Sequence, residues 1–225
     1  MPTIAPVPAI VYATQAGGTT LDQDSFGGNP FATALIDLSN EQGLELKQLL
    51  PALRKSTLER SARHQTPTWD RVSADEKWTF TLSNAVRQEK RIALVLVVSE
   101  YTDSENHQLL GAARDERRIS SMLAGHGFSV TQGVAPDKRS LHRALRSFTA
   151  TSKESDVAIV YSTGHGVEYI ARPFLLPGDY PFSLGYGSAT LRRHALPVAQ
   201  IASACKARKL NLTFFAGCRT LVAGP

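Results

Sequence analysis

Two short strings in this 225-residue chain carry residue types suited to covalent chemistry. His165 lies between two glycines in Thr163-Gly164-His165-Gly166, and Cys218 follows 53 residues later in Gly217-Cys218-Arg219. A cysteine that attacks a carbonyl carbon needs a thiolate, a histidine to carry its proton, and backbone N–H donors for the oxyanion. The glycines beside His165 have no side chain, so the backbone there can lie close to a substrate. Cys218 follows a glycine at the end of an apolar run, where a sharp turn exposes sulfur. Cys205 sits in a helical pattern over 201–205 without a partner motif and reads as a small buried hydrophobe. Gly125-His126-Gly127 repeats the glycine-flanked histidine, but it ends a helix before a strand, so His126 reads as a solvated turn residue at a C-cap. His64, His107, His142 and His194 have no metal-ligand spacing with one another or with a cysteine. No acidic cluster has the spacing of calcium ligands, so no cofactor is expected and the calcium question stays open. Gly17-Gly18-Thr19-Thr20 lacks the lysine and the spacing of a phosphate loop.

The elements that must position His165 and Cys218 are legible as patterns. Residues 9–14, 91–99, 156–162 and 210–216 are nearly continuous apolar runs, as expected of parallel strands with both faces covered by helices. The shorter, alternating runs 128–132 and 78–82 suit flanking or edge strands. Helical patterns occupy 30–38, with Asn29 as N-cap and Pro30 at the first position, then 44–62, 109–123, 140–148 and 197–207. This alternation predicts an α/β three-layer sandwich around a mostly parallel, about six-stranded sheet. Sites in such sheets gather at the carboxyl ends of the strands. His165 follows the run 156–162, Cys218 follows 210–216, and Asp22 lies in the loop after 9–14.

Composition narrows the classes. The chain is 42% hydrophobic and 20% charged, with 16 Gly and 12 Pro, which excludes a disordered tail, a collagen-like repeat and a coiled coil. No apolar run approaches the roughly 18 residues of a membrane helix, and the first ten residues lack a signal-peptide pattern. Two cysteines make no disulfide framework. The expectation is a soluble, cytoplasmic protein with reduced thiols and no membrane partner. The net charge of +5 is uneven: residues 1–90 sum to −1 and residues 91–225 to +6. Arg114, Arg117 and Arg118, then Lys138, Arg139, Arg143 and Arg146, recur at helical spacing. Without interleaved aromatics or a Gly-rich RNA-binding signature, these rows read as solvated helix faces rather than nucleic-acid contacts.

At this point the sequence resembles the caspase and metacaspase family of cysteine peptidases. The Cys-Arg pair and the histidine about 50 residues upstream match the caspase pattern, although the other flanking residues do not. Residues 92–99, Gly111-Ala112-Ala113-Arg114-Asp115, 161–166, Leu175-Leu176-Pro177 and 214–219 fall in the order of the family's larger, catalytic subunit. Val11-Tyr12-Ala13-Thr14, Asp22, Asn29-Pro30-Phe31 and Gln65-Thr66-Pro67 look like the smaller subunit, which here comes first. The resemblance therefore implies one caspase-like domain over 1–225, circularly permuted as in type III metacaspases. It is written as a small-subunit block over 1–82, a joining linker over 83–90 and a catalytic block over 91–225. It further implies Cys218 as nucleophile, His165 as general acid/base, and the N–H groups of Gly166 and Cys218 as the oxyanion hole. Such a hole contributes roughly 100- to 1,000-fold in rate per donor in other enzymes.

The resemblance implies an acidic specificity pocket if it follows metacaspases; caspases use arginines there instead, for which the loop 104–110 offers none and Arg114 is the one neighbouring candidate. One of the metacaspase acids maps onto Asp115, which also reads as a helix N-terminal charge. The second maps onto Ala216, where the acid is lost. Asp22, which like Asp24 also reads as a turn residue, and Thr163 are further pocket positions. The expected substrates are proteins or peptides with a weak preference for a basic residue before the scissile bond. The loss at Ala216 and the changed residues around Cys218 leave one alternative, an inactive caspase-fold interaction module. Oligomeric state is left open.

Overall fold

The computed structural model describes residues 5–25, 27–70, 72, 77–81, 89–102, 107–134 and 137–223. Its main sheet has six strands: β1 (Ala9–Tyr12), β2 (Thr68–Asp70), β3 (Arg91–Val97), β4 (Phe128–Val134), β5 (Val157–Thr163) and β9 (Leu210–Phe215), in the order β2-β1-β9-β5-β3-β4. Every neighbouring pair is parallel except β1 with β2. A second sheet of four short strands has the order β10-β6-β7-β8, built from β6 (Gly166–Tyr169), β7 (Arg172–Leu175), β8 (Leu196–Pro197) and β10 (Thr220–Leu221).

The apolar runs form the central strands because both of their faces are covered. Val157, Ile159 and Tyr161 of β5 face one core, together with Phe31, Leu53 and Ile119. These come from α1 (Pro30–Ser39), α2 (Leu46–Arg60) and α3 (Leu110–Gly125). Ala158 and Val160 face a second core with Leu141, Leu145 and Phe148 of α4 (Lys138–Ser152) and Ile201 of α6 (Val198–Ala202). The remaining helix, α5 (Ser188–His194), follows a short 3-10 turn at Phe182–Leu184. Among the described residues the result is a mixed α/β sandwich with a mostly parallel six-stranded sheet and six helices, as the alternation of patterns predicts.

The helix starts are chemically specified. The Asn29 side chain accepts from Phe31 N–H at 2.8 Å, with Pro30 at the first helical position of α1. Asp137 likewise caps α4 by accepting from Ser140 N–H at 2.8 Å. The first turn of α3 is capped from another part of the chain: the Asp22 carboxylate accepts from Gly111 N–H at 2.8 Å and Ala112 N–H at 3.1 Å. An anion there meets both unpaired donors and the positive end of the helix dipole.

Three expectations need correction. The alternating run 78–82 is no edge strand over its described part, where Thr79 makes an isolated bridge with Glu45. Its aromatic residues are used otherwise, Trp78 packing edge-on against Phe80 and Phe128, and β2 forms the antiparallel edge instead. The helix expected over 197–207 is only Val198–Ala202, with Cys205 and Ala207 buried in the turn beyond it. His126 is half-buried rather than solvated, its Nε2 3.2 Å from Ser39 Oγ and its ring against Phe80. Burial, then the nearby Arg91 charge, pulls its pKa down. Most of the linker expected over 83–90 lies outside the described residues.

Candidate active site

Strands β5 and β9 run side by side and in register until Ser162 pairs Phe215. Immediately beyond this pairing the chain reaches Gly164-His165-Gly166 on one strand and Gly217-Cys218 on the other. The two turns lie backbone against backbone, since a Cβ added to Gly166 would sit 2.3 Å from the Cys218 carbonyl oxygen. Gly164 has φ +151, and a Cβ there would meet Val98, Tyr101 and Leu175 at about 3 Å. Past the turns the chains pair again, β10 joining β6 in parallel with Thr220 opposite Val167. His165 and Cys218 are both partly exposed at this edge.

His165 is held at two points. Its backbone N–H donates to the Tyr101 hydroxyl at 2.7 Å, and the two rings lie 4.7 Å apart. Its Nε2 lies 2.8 Å from the His107 carbonyl oxygen. A carbonyl only accepts, so Nε2 carries the hydrogen and Nδ1 is the basic nitrogen of the neutral ring. Burial lowers the His165 pKa below the ordinary imidazole value, with the His107 carbonyl partly offsetting it. The His107 ring stacks on Phe182 with centroids 3.8 Å apart and a 13° interplanar angle, which steadies the carbonyl-bearing turn. The Tyr101 hydroxyl is buried, and desolvation keeps it neutral, with the Cys218 side chain near enough to add to that effect.

The Cys218 sulfur faces Thr20. The Thr20 N–H points at Sγ from 3.2 Å and its hydroxyl lies 3.4 Å away, so negative charge developing on sulfur would meet a donor. Among the described residues no acceptor takes the Cys218 N–H. The next residue, Arg219, is anchored at several points. Its Nε donates to the buried Glu168 carboxylate at 2.9 Å, its Nη1 reaches Thr68 Oγ1 at 3.3 Å, and its guanidinium lies 4.3 Å from the Tyr12 ring centre. The turn that bears Cys218 is thereby tied to β6, β1 and β2 at once. Cys205, by contrast, is fully buried, and desolvation pushes its pKa to about 12, which leaves it a packed thiol.

The expected pocket residues fall in two groups. Thr163 and Ala216 are the strand-end residues just before the turns, 4% and 2% exposed. Asp22 and Asp115 sit together at the start of α3, close enough that the Asp22 charge bears on Asp115. Asp22 is partly exposed, whereas Asp115 is fully buried. Asp115 accepts from Asn29 N–H and from the Arg118 guanidinium, both at 3.0 Å. Burial outweighs these two partners and raises its pKa to about 7. Among the described residues no three His, Cys, Asp or Glu side chains gather as a metal site, and no helix is long and apolar enough to cross a membrane.

Tyr101, His107 and Thr20 were not singled out as site residues from the sequence. In the sequence His107 is one of four histidines without metal-ligand spacing, and it acts here through its carbonyl, which carries no residue-type signal. Thr20 lies in the loop after a central strand, at the carboxyl edge, and that position is the one clue the sequence holds. The family model for the caspase domain matches residues 90–213, a segment that contains His165 and stops short of Cys218. No curated protein matches the chain. With a match over more than half of its length, on a six-stranded sheet that brings a histidine and a cysteine to one edge, the chain belongs to the caspase-domain family of cysteine peptidases.

Proposed function

We propose that the protein is a cysteine endopeptidase in which Cys218 is the nucleophile and His165 the general acid/base. The observation that carries this reading is the meeting of the β5 and β9 ends, where Gly166 touches the Cys218 carbonyl and both reactive side chains are partly exposed. The Cys218 thiol gives its proton to His165 Nδ1, and the sulfur attacks the carbonyl carbon of the scissile bond. The resulting oxyanion accepts from the Cys218 and Gly166 N–H groups. The C–N bond then breaks, the imidazolium proton passes to the leaving amine, and a thioester remains. Water, deprotonated by His165, attacks the thioester and releases the acid and the thiol.

The proposal extends to specificity and to chain order. The favoured residue before the scissile bond is basic: Asp22 is partly exposed, Asp115 adds a buried acid behind it, and the neighbouring Arg118 is taken up by Asp115 and Thr33. The family's small-subunit segment precedes its catalytic segment in this chain. Support comes from the sheet, in which the first two strands lie beyond β9, the last strand before Cys218, and from a family match confined to 90–213.

The test is a panel of fluorogenic peptides carrying Arg, Lys or Asp before the scissile bond, assayed with and without calcium. Cleavage after Arg and Lys that disappears in Cys218→Ala is the expected result. No cleavage by the wild type, or equal cleavage by Cys218→Ala, overturns the reading.

A further inference from the structure

A different face of the molecule carries charge that the proposed peptidase reaction does not use. The α4 helix, whose sequence is KRSLHRALRSFTATS, contains no acidic residue at all. Lys138 and Arg139 occupy its first turn, where the helix dipole disfavours cations, and Lys138, His142 and Arg146 follow one another at four-residue spacing on one face. Opposite them, α5 ends in Arg192, Arg193 and His194. Between the two helices lies a cavity of about 540 Å³ lined by Lys138, Arg139, His142, Arg146, Arg193 and His194. One acid, Asp179, reaches it, and its carboxylate already accepts from the Lys138 N–H at 3.0 Å. Lys138 Nζ is spent on the last carbonyls of α5, at 2.8 Å from Arg193 O. Among the described residues Arg139, Arg146 and Arg193 enter no ion pair, and besides Asp179 the one carboxylate on which the Arg139 charge bears is the α4 N-cap Asp137.

This arrangement differs from an evenly solvated helix face in its shape. Like charges spread on a convex surface separate and are screened, whereas here two helices bring them around a shared hollow. The charges already disturb one another: beyond its own burial, His142 is held toward its neutral form by the Lys138 and Arg146 charges. Guanidinium groups converging from several directions match a ligand with several adjacent anionic oxygens, each taking a charge-assisted bond. The same hollow shares Lys138 and His142 with a groove of about 610 Å³ whose lining includes Tyr12, Phe174 and Pro197 together with Asp70, Arg172 and Arg192.

We propose that the α4–α5 cavity is a binding site for a small ligand bearing a chain of linked phosphates. It is separate from the Cys218–His165 edge and does not depend on the peptidase reading. Two sources share this chemistry, a free inorganic polyphosphate and the polyphosphate of a nucleotide, and the adjoining groove distinguishes them.

Isothermal titration calorimetry of the full chain with sodium tripolyphosphate, with ATP and with orthophosphate tests the site. The expected result is saturable, near-stoichiometric binding of tripolyphosphate, tighter than orthophosphate and weakening as salt is raised. Arg139→Glu/Arg193→Glu should lower the affinity at least about tenfold, the equivalent of one lost charge-assisted hydrogen bond. The milder Arg139→Ala/Arg146→Ala serves if the first variant fails a circular-dichroism check. Arg54→Glu, in a separate cationic hollow beside α2 with Lys55 and Arg63, should leave binding unchanged. ATP binding more tightly than tripolyphosphate assigns the site to nucleotides, and the reverse order assigns it to free polyphosphate. Absence of tripolyphosphate binding overturns the proposal. So does equal weakening by Arg54→Glu, or tighter binding of an oligo-glutamate peptide or a single-stranded oligonucleotide in the same cavity.

Discussion

At the scale of single residues, the site depends on how His165 is held as well as on its presence. Tyr101→Phe removes the hydroxyl that accepts the His165 N–H, leaving that donor unpaired beside a buried ring. The expected cost is about 1–3 kcal/mol in local order, read as a fall in kcat of about tenfold or more with KM little changed. The pH dependence has a defined sign. Burial lowers the His165 pKa, so its ring, the proposed base, stays unprotonated to a more acidic pH than a free imidazole would. The acid limb of kcat/KM should therefore lie below about pH 6.5, the unperturbed imidazole value. Asp115 runs the other way. Its pKa is near 7 in the folded chain and close to 3.8 when unfolded, so the folded state holds an extra proton between these values. Its contribution to stability is full below about pH 3.8 and is lost as pH rises through about 7, on the order of 4 kcal/mol. Asp115→Asn should flatten that slope, measured as urea unfolding at several pH values. An unchanged slope would assign the buried proton to another group.

At the scale of elements, the contacts that matter join parts of the chain far apart in sequence. Asp22 caps α3 from 89 residues away. Asp22→Ala should cost about 0.5–2 kcal/mol of stability by urea unfolding, the range measured for lost helix caps. The same variant reads out the proposed pocket, because a weakened preference for Arg and Lys peptides would accompany it. Arg219 and Glu168 fasten β10 to β6 beside Cys218, with Glu168 only 3% exposed. Arg219→Met leaves that carboxylate buried without a partner, at about 3–5 kcal/mol. Adding Glu168→Gln should recover much of the loss in thermal unfolding, since the isolated charge, rather than the missing bond, carries most of the penalty.

At the scale of the whole molecule, the sheet accepts its strands in an order that the covalent chain does not follow. β1 and β2 come first in sequence and sit at the edge beyond β9. If the permuted order is a rearrangement of covalent links around an unchanged sheet, the contacts should survive restoring the other order. A chain running from residue 91 to 223, then a flexible Gly/Ser linker, then residues 5 to 82, should keep the far-UV circular dichroism of the wild type and its peptide cleavage. Loss of folded signal in that chain would count against the permuted reading.

The central strands and the main helices were legible in the sequence because burial on both faces writes a continuous apolar run and a one-sided contact writes a helical stripe. From these, the placement of His165 and Cys218 at carboxyl strand ends followed. The second sheet was not legible: its strands are two to four residues long, too short for any periodicity to show. The run 78–82 misled for a related reason, since alternating aromatics look alike whether the backbone pairs with a strand or merely packs its rings on a core. Residue types and spacing by themselves determined which histidine and which cysteine are the reactive candidates and the layered class that carries them. Tertiary structure alone decided what surrounds them. The Thr20 amide that faces the sulfur is 198 residues from Cys218 along the chain, and the His107 group that orients the imidazole is a carbonyl every residue possesses. Such partners are chosen by where strands and loops end in space, and a linear pattern holds no record of that.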